Sequence, residues 1–194
     1  MNYNKVMEEI IKSLDETPSL LLHSCCGPCS TSVIDRLKDY FDITVLYYNP
    51  NIEPKEEYEK RKEEQKKVLK MLNSKNKLDF LDCDYDNDLY HKVVKGLEGE
   101  PERGNRCRVC YNLRLSYTKS VASKNHFDYF TTTLSVSPFK NADWINEIGL
   151  SLESDVKFLP ADFKKKDGYK KSILFSNKLG LYRQDYCGCV YSKR

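Results

Sequence analysis

Short apolar runs alternate with amphipathic stretches along most of this chain. Val6, Ile10, Ile11 and Leu14 recur at helical spacing before Thr17-Pro18 breaks the pattern, which predicts an N-terminal helix within residues 1–14. The apolar run at residues 20–23 predicts a strand that feeds the turn 24–29, after which Ser30 or Thr31 is expected to cap a helix reaching Leu37. Residues 43–48 are β-branched and aromatic and predict a second strand, stopped by Asn49-Pro50-Asn51. From Lys55 to Lys70 twelve of sixteen residues are charged, with Tyr58, Gln65, Val68, Leu69 and Leu72 forming a less polar stripe. That pattern predicts a solvated helix laid over a sheet, its charges pairing with one another and binding nothing. Further strands are expected at 78–83, 127–134 and 156–159, and further helices at 89–97, 107–122, 142–150 and 170–179. Gly96, Gly99, Pro101 and Gly104 mark a loop.

Strands alternating with helices require right-handed crossovers and a mostly parallel sheet covered on both faces. The expected fold is an α/β, Rossmann-like three-layer sandwich, a single domain over residues 1–194 with residues 1–19 as an N-terminal helical extension. In such sheets ligands sit beyond the carboxyl ends of the strands, where the turn after the first strand lies. No internal repeat, Walker motif or GxGxxG fingerprint is present, so a nucleotide cofactor has no sequence support.

Composition narrows the class. The 194 residues are 40% hydrophobic and 31% charged, as in a globular chain. No run approaches the roughly 18 continuous apolar residues of a membrane span. The start carries Glu8 and Glu9 and lacks the apolar core of a secretory signal, so a cytoplasmic location is expected. Thirty-two Lys and Arg against 29 Asp and Glu leave a formal charge of +3, a weak excess that selects no partner.

Cysteine changes the picture. Eight in a chain of this size is high, and a reducing compartment discourages structural disulfides. Cys83 stands alone in 78–83 and reads as a small buried hydrophobe. The other seven fall into three groups: Cys25, Cys26 and Cys29; Cys107 and Cys110; Cys187 and Cys189. Thiolates ligate zinc and iron–sulfur iron, four of them to a cubane, so seven exceed one site. Cys107 and Cys110 open a predicted helix beside Arg103, Arg106 and Arg108, where the dipole and those cations favour negative charge. Two schemes fit the residues. In one, Cys25, Cys26, Cys107 and Cys110 hold a [4Fe-4S] cluster and Cys187-Gly188-Cys189 is a redox-active dithiol, the Gly allowing the tight turn. In the other, four cysteines hold the cluster and three hold an adjacent mononuclear iron or zinc with an open position, Cys29 among them. A zinc-bearing RNA-binding module with purely structural thiolates and an electron-transfer iron–sulfur protein are the competing classes.

His23-Ser24-Cys25-Cys26-Gly27-Pro28-Cys29-Ser30, Arg106-Cys107-Arg108-Val109-Cys110-Tyr111, Thr131-Thr132-Thr133-Leu134, Asp162-Phe163-Lys164-Lys165 with Gly168-Tyr169, and Gly180-Leu181-Tyr182-Arg183-Gln184 leading to Cys187-Gly188-Cys189 together resemble the cobalamin-independent epoxyqueuosine reductases. The resemblance spans roughly residues 20–192. It implies a Rossmann-like enzyme that removes the epoxide oxygen from epoxyqueuosine at the wobble position of tRNA, giving queuosine, with no cobalamin. It also places the family's cluster ligands on Cys25, Cys26, Cys107 and Cys110, and its terminal pair, redox-active or metal-bound, on Cys187 and Cys189. Cys29 is the position where a carboxylate is expected in some members.

The reaction needs two electrons and two protons. A cluster delivers electrons singly, so a dithiol or second metal would complete the pair, and an unidentified electron donor is implied. Asp162, after a predicted strand, is the expected proton donor, with Tyr169, Tyr182 and His23 behind it. A tRNA substrate predicts cations and stacking rings: Arg103, Arg106, Arg108, Arg114, Lys164, Lys165, Lys166, Lys170, Lys171 and Arg183, with Tyr47, Tyr48, Tyr111 and Tyr182. Such binding weakens steeply with salt.

Overall fold

A computed structural model describes residues 1–193. Five strands, β1 (Ser19–His23), β2 (Asp42–Leu46), β3 (Leu78–Leu81), β4 (Tyr129–Thr132) and β5 (Lys157–Phe158), form one sheet in the order β3-β2-β1-β4-β5. Every pairing is parallel, with Leu22 opposite both Val45 and Thr131. The chain winds from β1 outward to β3 and then returns to β4 on the other side of β1. The crevice between β1 and β4 is therefore the topological switch point, where the loops leaving two neighbouring strands diverge and open a site.

The strand sequences explain the layering. Leu20 and Leu22 face one side of β1 and Leu21 the other, all fully buried; each such side chain contributes about 1.5–3 kcal/mol by leaving water. On the first side lie α1 (Tyr3–Lys12), α2 (Gly27–Leu37) and α3 (Lys55–Met71), packed through Met7, Ile34, Leu37 and Val68, with α7 (Gly168–Lys178) laid against α2. On the second lie α5 (Asn105–Lys124) and α6 (Ala142–Ser151), packed through Leu115, Ala122, Ile145 and Ile148, with α4 (Asn87–Val94) against α5. The α/β sandwich with a parallel sheet is as expected, and no helix among the described residues is long and apolar enough to cross a membrane.

Most boundaries shift by a few residues from expectation, and three of the shifts have a clear local reason. Helix α2 begins at Gly27, not after Ser30 or Thr31. Pro28 presets the first turn, and the hydroxyls of Ser30 and Thr31 are spent inside the helix, donating to the carbonyls of Gly27 and Pro28 at 2.8 Å each. Cys29 is thus a helical residue. Helix α4 starts at Asn87 because the Asp86 carboxylate caps Leu89 N. Strand β4 stops at Thr132, where the Thr132 hydroxyl accepts from Leu134 N and starts a short 3-10 turn, Thr133–Val136.

Candidate active site

The site starts where β1 ends. His23 is fully buried, with Nδ1 2.7 Å from Thr132 Oγ1 and Nε2 3.0 Å from the Tyr48 carbonyl and 3.2 Å from Arg114 Nε. Burial first, and the Arg114 charge second, push its imidazole pKa down to about 3. His23 is a neutral spacer between β1, β4 and α5. The chain then turns sharply: Cys25 N donates to Thr133 Oγ1 at 3.2 Å and Ser24 Oγ to Gln65 Oε1 of α3 at 2.5 Å. Gly27 lies so close to α3 that a β-carbon there would stand 2.8 Å from the Glu64 carbonyl oxygen, which requires glycine.

That turn puts Cys25 before α2, Cys26 at its N-cap and Cys29 in its first turn. The three sulfurs lie within 4.8 Å of one another, and the Cys25 and Cys26 sulfurs are 3.9 Å apart. Within the triad the Cys25 thiol has its pKa well below the usual thiol range. The Cys26 and Cys29 thiols donate to it, and the Arg114 charge and Thr133 hydroxyl add to the effect. Burial, followed by the Cys25 neighbour, pushes Cys26 up to about 12.

Helix α5 and the C-terminal segment supply the other four thiols. Arg103 N donates to Cys107 Sγ at 3.2 Å, and Cys110 packs in a small apolar cluster with Tyr90, Val94 and Cys189. Burial pushes Cys110 up to about 12. Residues 182–188 run back along α3 as a strap: Tyr182 N donates to Glu64, and Gln184 Nε2 donates to Cys26 Sγ at 2.8 Å. Cys187 Sγ accepts from Lys140 Nζ at 3.0 Å, and Cys189 Sγ faces Ser192 Oγ at 3.5 Å. All eight cysteines are free thiols.

Two buried cations stand among these groups. Arg114 donates to His23 and to Asn49 Oδ1, and its charge acts on both Cys25 and Cys110. Lys140 is opposed by burial but held above the usual amine range by Cys187. Cys25, Cys29, Cys187, Arg114 and Lys140 line one cavity of about 240 Å³, with Tyr169, Arg183 and the half-exposed ring of Phe139.

A model of the family described as epoxyqueuosine reductase QueH matches residues 20–194. The chain belongs to that family. It is 42% identical to the epoxyqueuosine reductase QueH of Streptococcus pyogenes serotype M1, over 100% of this chain and 79% of that protein. The like-named proteins of Staphylococcus epidermidis and Thermotoga maritima are 40% and 36% identical, over 99% and 90% of this chain and 84% and 90% of theirs.

The matched span of this epoxyqueuosine reductase family member contains all seven clustered cysteines and leaves out α1. Of the residues singled out from sequence, Cys25, Cys29, Cys187, Tyr169 and Arg183 meet in the cavity. Burial holds the Cys107 and Cys110 thiols above the usual thiol range, the neighbouring Cys187 and Cys189 add to it, and Arg114 opposes it at Cys110. Asp162 does not line the cavity; it caps Lys164 N at 3.3 Å and pairs with the Lys164 ammonium at 3.0 Å. Lys165 lies outside the cavity as well, exposed on the surface beside α1. Tyr182 gives its hydroxyl to Glu57, with Lys60 Nζ 3.3 Å from its ring centre.

Several expected RNA contacts are instead interior. Arg106 and Arg114 are 2% and 1% exposed, Arg106 clamping the carbonyls of Leu97, Glu98 and Glu100. Tyr47, Tyr48 and Tyr111 are buried as well, so no base can stack on them. The expectation that the charges of α3 only pair with one another is also corrected, since Arg61 donates to the carbonyls of Tyr186 and Cys187. Lys140 had no signal beyond its place after Pro138-Phe139.

Proposed function

We propose that this protein reduces epoxyqueuosine at the wobble position of tRNA to queuosine, using thiol-bound iron. The observation that carries the reading is the convergence of thiols from two distant segments, Cys25 and Cys29 with Cys187, on one cavity at the switch point, in a chain of this family. The donor set suits the group. It is soft and thiol-rich, as zinc and iron–sulfur iron both require, and three of its sulfurs lie within 4.8 Å of one another. Cys25, Cys26, Cys107 and Cys110 would hold a [4Fe-4S] cluster, with Cys29, Cys187 and Cys189 left for a mononuclear iron or zinc or, for the last two, a redox-active dithiol. When bound, the cluster supplies electrons one at a time, drawn from an outside donor.

The chain's own residues do the rest. Arg114 and Lys140 offset the charge of thiolates in a buried setting, where unpaired anions are costly. The epoxide oxygen leaves as water once two electrons and two protons have been added, and a carbon–carbon double bond remains. Tyr169, whose side chain lines the cavity, takes precedence over Asp162 as the proton donor. Phe139 offers an exposed ring for a splayed base, and exposed Lys165, Lys166, Lys170 and Lys171 offer contacts to tRNA phosphates.

Iron, acid-labile sulfide and zinc content of anaerobically purified protein, beside nucleoside analysis of treated epoxyqueuosine tRNA, tests the reading. Brown protein with at least four irons and four sulfides per chain, converting the nucleoside, is expected. Colourless zinc protein with no uptake of iron and sulfide would overturn it.

A further inference from the structure

Helix α3 carries a side-chain row that runs along the C-terminal strap. Glu57, Arg61 and Glu64 recur at helical spacing and so share a face. Arg61 is 1% exposed. Its Nε donates to Glu57 at 2.6 Å, its Nη1 to the Cys187 carbonyl at 3.2 Å and its Nη2 to the Tyr186 carbonyl at 3.4 Å. The guanidinium also lies 4.8 Å from the centre of the Tyr186 ring. All three nitrogens are therefore engaged, two of them on the backbone that carries the Cys187 sulfur. The same helix fixes the other thiol group. Glu64 receives Tyr182 N, its backbone meets Gly27, and Gln65 accepts from Ser24.

We infer that Arg61 is a positioning residue for the reduction, setting the strap so that Cys187 faces the cavity opposite Cys25 and Cys29. The inference rests on the reading that Cys187 and Cys189 take part in that reaction. A planar fork with donors in fixed directions is what two successive carbonyls and a carboxylate require. Lysine at this position would keep the charge but could reach only part of the set. Losing directed hydrogen bonds from a buried charged donor frees the strap, and displacement of reacting groups by about 1 Å costs about 100-fold in rate.

The test compares Arg61→Lys and Arg61→Met holoproteins with wild type. Lys66→Met serves as control, because Lys66 lies on α3 away from the strap and pairs with Glu63. Anaerobic alkylation of Cys187 and Cys189 is followed peptide by peptide against the same peptides after denaturation, with iron and sulfide content and melting recorded alongside. Single-turnover conversion of epoxyqueuosine tRNA and the KM for that tRNA are measured in parallel. Both Arg61 variants should label Cys187 faster, the Met variant by roughly tenfold or more as the loss of charged hydrogen bonds allows. Turnover should fall about 100-fold while KM stays near wild type, and lysine should not restore it. Unchanged labelling in the Lys variant, which keeps the buried charge and is the one more certain to fold, overturns the positioning role. Faster labelling with undiminished turnover overturns the participation of Cys187 and Cys189 and leaves the family activity standing.

Discussion

Lys140 Nζ donates to the Cys187 sulfur at 3.0 Å inside the cavity that also receives Cys25. A buried ammonium aimed at a thiol fixes where that sulfur points and supplies positive charge where thiolates gather. Lys140→Met removes both while keeping much of the side-chain length. Turnover of epoxyqueuosine tRNA should fall by about 10²-fold, the cost of deleting one preorganised donor, measured as single-turnover conversion by nucleoside mass spectrometry.

Tyr169 and Asp162 separate two accounts of proton delivery. Tyr169 lines the cavity, whereas Asp162 is occupied with Lys164. Tyr169→Phe should slow conversion by about 10²-fold or more, the usual scale of general acid catalysis. Asp162→Asn should stay within a few-fold of wild type. The reverse order of effects in the same assay would return the role to Asp162.

Gly188 lies at φ +126°, and a β-carbon there would stand 2.8 Å from Ile52 Cγ1 and 3.2 Å from Arg61 Nη1. Gly188→Ala therefore meets both backbone strain and a clash. A loss of about 1–3 kcal/mol is expected in denaturant unfolding, with conversion impaired more than stability because the strain falls between Cys187 and Cys189.

Cys83 gives a pH signature away from the cavity. Burial, then the Asp82 charge, pushes its thiol up to about 12. A folded pKa raised above the unfolded value of about 8.5 means the unfolded chain releases the proton first. Stability is then full below that value and declines as pH rises toward 12. Cys83→Ala should flatten this alkaline decline in denaturant titrations at pH 8–11, relative to wild type.

The order of strands and helices was legible because apolar runs of strand length alternate with helical periodicity, and the parallel sheet follows from that order. The cysteines stood out because seven thiols in tight groups have no ordinary core role. What escaped has physical reasons. Arg61 fills the open slot in the stripe Tyr58, Gln65, Val68, so helical period alone puts it on the inner face; its charge, among eleven others, hid that. Arg106 and Arg114 read as tRNA-contacting cations because sequence shows neither the carbonyls nor the thiols that hold them inside. Tyr47 and Tyr48 read as stacking rings because tyrosine suits a core and a surface equally. The start of α2 was missed because Ser30 and Thr31 are cap-forming residue types whose hydroxyls turned inward.

The contact between Gln184 and Cys26 spans 158 positions of sequence, and that between Arg61 and Cys187 spans 126. Closing loops of that length is entropically costly before the sheet exists to hold their ends. The full thiol set is thus a late product of folding: a local turn carries Cys25, Cys26 and Cys29, but only the folded chain brings the C-terminal thiols to them. On the proposed reading, a metal shared with the strap would bind only the folded chain, and the metal count of a variant would double as a measure of whether its strap has docked.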